Sequence, residues 1–286
     1  VRFWVHPKEG TKISGIKNLS EELAAALGAP NCRVSRRGAA VSIEVPRDDP
    51  QPVKLMSLYK QLASGGPNAI PPFTAILGLA DDGAPLLIKL PSSEVGHILI
   101  AGAAGAGKTM LLQAITLSLA MTNRPEDLAF IFLGDGLAET ATAIQQQGFP
   151  THRITSLGVA VLRSAIRTIG KRIIFVADEV VGNGDPRTVA ALKERMENSM
   201  HHYIMAYEEI PPREMAELFK VRLVGRVASA EDAHTATGCN GTGAERLLGQ
   251  GDFLAVAEGQ VTRFQSAYVS LAEIQKLPAQ LALAVG

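Results

Sequence analysis

The segment HILIAGAAGAGKTMLLQAI, residues 97–115, passes from an apolar run through a glycine-alanine turn into a helix-forming stretch. Within it Gly102, Gly107, Lys108 and Thr109 fit the pattern G-x-x-x-x-G-K-[ST]. Such a turn works because glycine lets the backbone wrap closely, so that N–H groups face phosphate oxygens, while the N-terminus of the next helix adds its dipole. The expected binding loop is Gly102, Ala103, Ala104, Gly105, Ala106, Gly107, Lys108, Thr109 and Met110. Lys108 is expected to reach the β- and γ-phosphates of ATP, and the Thr109 hydroxyl to ligate Mg²⁺. The plainer reading is a small-residue turn with one exposed lysine. A strand before the turn and a helix after it argue against that reading.

On either side the chain alternates apolar runs with helix-length segments. HILIA, LAFIFL, RIIFVA, YIMAY and RLVGRVA read as buried strands. Between them GKTMLLQAITLSLAM, LGVAVLRSAIRTIG, DPRTVAALKERMENSM and PPREMAELF read as helices. Continuous apolar strands separated by helices predict an α/β fold with a mostly parallel sheet covered on both faces. Two hairpins are expected, one turning at Asp82-Gly83 and one at Glu258-Gly259. The first 66 residues read as a separate small α/β unit: a strand VRFWV, a helix capped by Ser20 and stopped by Gly28, two strands around Gly38 that end at Pro46, and a short helix KLMSLYKQL. The Gly/Pro-rich stretch SGGPNAIPP then marks a boundary, which leaves residues 67–286 for the large domain.

A second chemical signal is RIIFVADEV, where an apolar strand runs into Asp178 and Glu179. Two carboxylates there are costly unless used. Asp178 is expected to hold Mg²⁺, and Glu179 to act as general base on the attacking water. The alternative is an ordinary strand end followed by a capping acid. YIMAYEEIPP places Tyr207 and Glu208 at the end of the next core strand, where a γ-phosphate sensor would stand; a solvated loop is the competing reading. Arg222 and Arg226 lie on the strand VRLVGRVA and are the arginines considered for transition-state charge. His201 and His202 are adjacent, and no histidine or cysteine has a partner at metal-ligand spacing.

Composition narrows the class. The 286 residues are 47% hydrophobic and 20% charged, enough for a large core and too ordered for a disordered chain. Lys+Arg and Asp+Glu are 28 each, so global steering toward nucleic acid is excluded while a local basic patch is not. Two cysteines, Cys32 and Cys239, exclude a disulfide scaffold and fit a reducing, cytoplasmic setting. Apolar stretches are broken by Lys89, Arg163, Arg167 and Lys171, so no membrane span is expected. The chain opens on Val1 with no apolar leader, which is expected of a fragment; a membrane anchor outside this chain is kept open.

Beyond these signals the chain resembles the FtsK/SpoIIIE family of DNA-translocating ATPases over most of its length. The resemblance is carried by TKISGIKNLSEELAAALGAPNCRVSRRGAAVSIEVPR, by FTAILGLADDGAPLLIKLPSSEVGHILIAGAAGAGKT, by RPEDLAFIF and by the late motif GTGAERLLGQGDFL. It implies a RecA-like P-loop motor that works as a hexameric ring around double-stranded DNA, with Gly102, Gly107, Lys108 and Thr109 as its Walker A residues and Asp178 and Glu179 as its Walker B. Arg222 falls where the family has an arginine that acts across the subunit interface. The chain departs from the family at Tyr207-Glu208 in place of Thr-Gln, at His234 in place of an arginine, and at Asp135, one position late. The family's winged-helix reader has no counterpart after AYVSLAEIQKLPAQLALAVG. Two other classes stay open: a protein-export motor of the type VII secretion class, and a nucleotide-binding assembly module that hydrolyses little.

Overall fold

A computed structural model describes residues 2–8, 10–29, 32–37, 40–45, 51–66, 69–92, 94–154, 171–180, 186–197 and 200–282. The chain divides into two compact units, residues 1–52 with 81–84 and residues 53–80 with 85–286.

In the smaller unit, strands β1 (Arg2–Val5), β2 (Arg33–Arg37) and β3 (Ala40–Glu44) form an antiparallel sheet in the order β1-β3-β2. Helices α1 (Ile13–Asn18) and α2 (Ser20–Ala26) accompany it. Val41 and Ile43, two apart on β3 and so on one face, pack with Ala24 and Cys32 in a small core. Ser20 is the first helical residue of α2 and not its cap; Leu19 holds the capping position. The expected stop is present: Gly28 takes φ 65°, and Ala29 N–H donates to Ala24 O, a left-handed helix ending that glycine permits. The turn expected at Gly38 lies outside the described residues.

The larger unit is built on an 11-stranded sheet in the order β6-β5-β14-β13-β12-β7-β11-β10-β8-β9, with β4 beside β14. The strands are β4 (Val53–Lys54), β5 (Thr74–Ala80), β6 (Pro85–Lys89), β7 (Ile98–Ala101), β8 (Leu128–Leu133), β9 (Thr151–Ile154), β10 (Arg172–Val180), β11 (His202–Tyr207), β12 (Val221–Val224), β13 (Asp252–Ala257) and β14 (Gln260–Tyr268). From β12 through β9 every pairing is parallel. From β12 outward through β13, β14, β5 and β6 every pairing is antiparallel. The five apolar runs are β7, β8, β10, β11 and β12, and the two hairpins are β5–β6 and β13–β14, so the expected α/β architecture of a RecA-like core is present as a mixed sheet with a parallel centre.

Helices α3 (Leu55–Ala63), α4 (Lys108–Met121), α5 (Ala138–Gln146), α6 (Pro186–Glu197), α7 (Arg213–Ala216), α8 (Ala230–Thr237) and α9 (Leu271–Ala282) flank the sheet. Alternation sorts β7 between two cores: Ile98 and Ile100 face the cluster that holds α4, while Leu99 and Ala101 face the cluster under α7 and α8. Every residue of α4 from Leu111 to Met121 is buried, which makes it a central helix and not an amphipathic surface one. Helix α3, which the sequence reading placed before its boundary at 66/67, buries Leu55 and Leu58 in the first of these cores. Strand β9 has no apolar run behind it; the polar THRI pairs as a half-exposed edge. The helix expected over LGVAVLRSAIRTIG lies outside the described residues. Because the central strands are parallel, their C-terminal ends open onto one edge, where the phosphate-type loop follows β7.

Candidate functional site

The loop leaves β7 at Ala101 and enters α4 at Lys108. Gly107 stands at the helix cap with φ 99°, and a Cβ there would come within 2.9 Å of the Gly251 nitrogen, so the position needs glycine twice over. Ala103 N–H donates to Arg226 O at 2.7 Å, tying the loop to the chain after β12. Lys108 Nζ donates to Gly102 O at 2.7 Å and to Ala103 O at 3.3 Å, which holds the ammonium over the loop.

The end of β10 closes against this helix start. Thr109 Oγ1 donates to Asp178 Oδ2 at 2.7 Å, and Glu179 N–H donates to Asp178 Oδ1 at 3.1 Å. The β10–β11 register breaks between Ala177 and Val180, and Glu179 takes φ 52°. This bulge separates the roles of two consecutive acids: Asp178 is buried and Glu179 is exposed. The turn after β8 supports the pair from the other side. A Cβ on Gly134 would lie 3.0 Å from Asp178 O, and one on Gly136 would lie 3.0 Å from Asp178 Oδ2.

Charge is concentrated here. Burial lowers the Lys108 pKa, and the carboxylates of Asp178, Glu208 and Glu179 pull it back up. Burial raises the Asp178 pKa against the opposing pull of the Thr109 hydroxyl, the Glu179 N–H and Lys108. The donor set suits Mg²⁺, which takes hard oxygen ligands: a hydroxyl and a carboxylate already stand side by side at 2.7 Å, and a cation would relieve the desolvated Asp178 charge.

The structure thus brings Lys108, Thr109, Asp178, Glu179 and Glu208 together. Two other residues considered from the sequence lie elsewhere. Tyr207 points into the core on the far face of the sheet, 1% exposed, with its hydroxyl unpaired and its pKa raised by burial. Its neighbour Glu208 is exposed and continues the β11 pairing through its N–H to Val180 O. Arg222 pairs in register with Leu99, donates from Nε to Phe219 O at 3.3 Å and lies under Gly238. Burial lowers its pKa, and the charged side chains that act on it are Glu217 and Arg213, neither of them at the loop.

Sequence reasoning missed the supports of the site: Gly134 and Gly136, the Arg226 carbonyl, and the turn at Gln250-Gly251. The late motif LLGQGD was visible as a pattern, but no spacing rule says that it touches a loop far away in the chain.

Comparison with known proteins gives two family profiles: the FtsK/SpoIIIE family matches residues 63–168 and the FtsK alpha domain matches residues 1–47. The DNA translocase SftA of Bacillus subtilis is 25% identical over a gapped alignment of 323 positions, covering 96% of this chain and 33% of SftA. The chain therefore spans about a third of that relative's length. Among solved structures, the cytoplasmic domain of the type VII secretion ATPase EccC of Thermomonospora curvata superposes with a TM-score of 0.62 at 20% identity, over 81% of this chain and 34% of that one. The pCW3 conjugation coupling protein TcpA, in its monomer form with ATPγS, superposes with a TM-score of 0.61 at 15% identity, over 100% of this chain and 89% of that one.

Proposed function

We propose that this chain, which matches the FtsK/SpoIIIE family profile over residues 63–168, binds ATP with Mg²⁺ and hydrolyses it to drive a polymer through an oligomeric assembly. The observation that carries this reading is the pairing of Thr109 with Asp178 at 2.7 Å beside Lys108 and Glu179. In it, the loop 102–107 cradles the phosphates and Lys108 leaves its own loop carbonyls for the β- and γ-phosphate oxygens. Thr109 and Asp178 hold Mg²⁺, which supplies charge neutralisation on the phosphates. Glu179, exposed at the bulge, takes the proton of the attacking water, and Glu208 stands at the same edge as a second acid facing that water. Arg222 is the residue proposed to serve a neighbouring subunit, since its own loop is not among its partners.

Two cargo readings draw on different observations. Double-stranded DNA is favoured by the SftA likeness across 96% of the chain and by the FtsK alpha-domain match over residues 1–47. An exported polypeptide is the second reading, suggested by the name of one fold neighbour, the type VII secretion ATPase EccC. Steady-state ATPase with no polymer, with duplex DNA and with an unstructured polypeptide separates them, with Lys108→Ala as the blank. Stimulation by duplex alone selects the DNA reading, and stimulation by polypeptide alone selects export. Nucleotide binding without turnover under any condition would replace the motor by a nucleotide-dependent assembly module.

A further inference from the structure

The phosphate-type loop is held from outside by the late motif. Gln250 N–H donates to Gly105 O at 3.1 Å, and Gly251 N–H donates to Ala106 O at 2.8 Å. In a planar trans peptide the C=O and the next N–H point in opposite directions. Fixing Ala106 O on Gly251 therefore turns the Gly107 N–H away from the late motif, while Ala106 N–H closes a turn onto Ala103 O.

The late-motif turn is itself over-determined. Gln250 and Gly251 take φ 51° and 93°, and a non-glycine residue at positive φ persists only where its surroundings enforce it. Gln265 Nε2 donates to Gln250 O at 3.0 Å, and Ser266 N–H donates to Gly251 O at 2.7 Å. Asp252 accepts from Arg263 Nε at 2.8 Å and Nη2 at 2.7 Å, and also accepts Leu248 N–H at 2.9 Å. The Arg263 and Asp252 side chains are 12% and 7% exposed, so this two-pronged pair is shielded from water and salt.

We propose that residues 248–252, locked by the Asp252–Arg263 pair, are a positioning strap that sets the backbone of the phosphate loop before nucleotide arrives. Asp252, Arg263 and Gln265 are then positioning residues for nucleotide binding, acting through Gln250 and Gly251. The inference rests on the loop being a nucleotide site only for its second readout; the first reads the loop directly.

The test uses the full chain and three variants, Asp252→Asn, Gln265→Ala and the charge-conserving Asp252→Glu. Gln265 is exposed, so Gln265→Ala leaves the core untouched if Asp252→Asn does not fold. Amide hydrogen exchange without nucleotide is followed at residues 103–107 and 250–251, with β8 and β10 as internal references. Affinity for a non-hydrolysable ATP analogue is measured alongside. The expected result is faster exchange at the loop and strap alone, about tenfold in Asp252→Asn with affinity weakened about tenfold, because its charge-assisted pair with Arg263 is lost, and a smaller effect of the same kind in Gln265→Ala, whose bond to Gln250 O is neutral. Asp252→Glu should recover part of both. Unchanged loop exchange, or acceleration spread equally over β8 and β10, overturns the strap. So does faster loop exchange with unaltered affinity in a protein whose Lys108→Ala variant no longer binds. If Lys108→Ala binds the analogue as well as wild type, the nucleotide-site reading fails instead, while the exchange data still decide the strap.

Discussion

Thr109 and Asp178 lie 69 positions apart in the chain yet share a 2.7 Å hydrogen bond, and that bond gives Lys108 and Glu179 their context. Lys108 supplies a point charge in a partly desolvated loop. Lys108→Ala removes charge-assisted contacts worth about 1.5–3 kcal/mol, so calorimetry should find ATP affinity reduced at least about tenfold. Equal affinities would end the P-loop assignment. Glu179 is exposed while Asp178 is buried, although the two are adjacent. Glu179→Gln keeps the shape and removes the base, so ATP should still bind while turnover falls by about 10²-fold. Unchanged turnover would reduce Glu179 to a strand-end acid. Tyr207 teaches the opposite lesson. Its place at the strand end was legible, but its side chain follows strand alternation into the core and leaves only Glu208 at the edge.

At the scale of elements, β7, β8, β10 and β11 were legible because each carries a continuous apolar run, as burial on both faces demands, and β12 because Val221, Leu223 and Val224 keep that pattern around Arg222. Strand β9 was not, because an edge strand needs only one neighbour and carries no hydrophobic signature. The opposite end of β11 makes a prediction about pH. His202 donates from Nδ1 to Gly96 O at 2.6 Å and accepts Arg172 Nη1 at Nε2 at 2.9 Å, so the fold selects the neutral ring. Burial, with Arg172, His97 and His201 nearby, lowers its pKa to about 4 from the ordinary 6.5, against the Gly96 carbonyl, which favours the charged form. Well above pH 6.5 the ring is neutral both folded and unfolded and contributes no pH dependence. As pH falls from 6.5 toward 4 the unfolded chain takes up the proton and the folded one does not, so stability is lost at about 1.4 kcal/mol per pH unit. Urea unfolding at pH 7 and pH 5.5 should therefore show a smaller loss for His202→Asn than for wild type. Identical losses would mean that His202 titrates normally in the folded protein.

At the scale of the whole molecule the predictions concern assembly and cargo. Arg222 sits away from its own loop, so its effect on catalysis should appear between subunits. Mixing Arg222→Ala subunits, which keep an intact loop, with Lys108→Ala subunits, which keep the arginine, should restore ATPase activity at composite sites. A co-assembled mixture that stays inactive would make Arg222 a clamp between Phe219 and Gly238. If duplex DNA is the cargo, its contacts are to phosphates, and half-maximal stimulation should need more DNA as salt rises. With 28 basic and 28 acidic residues the log–log slope should be modest. A steep slope would require a basic surface that net charge does not reveal, and sequence preference among duplexes would require base contacts.

The sequence alone determined the strand-loop-helix at residues 97–115, the paired acids after a buried strand, and the alternation that makes an α/β sheet. Each of these is local: a backbone that must bend, a charge that must be used, a period set by burial. Tertiary structure decided what is non-local. It broke the register at Ala177–Val180 so that Asp178 meets Thr109 while Glu179 faces outward. It also carried Gln250 and Gly251 onto the carbonyls of Gly105 and Ala106. Backbone hydrogen bonds between distant segments leave no mark in residue type beyond the glycine that makes room for them, so only the folded chain displays them.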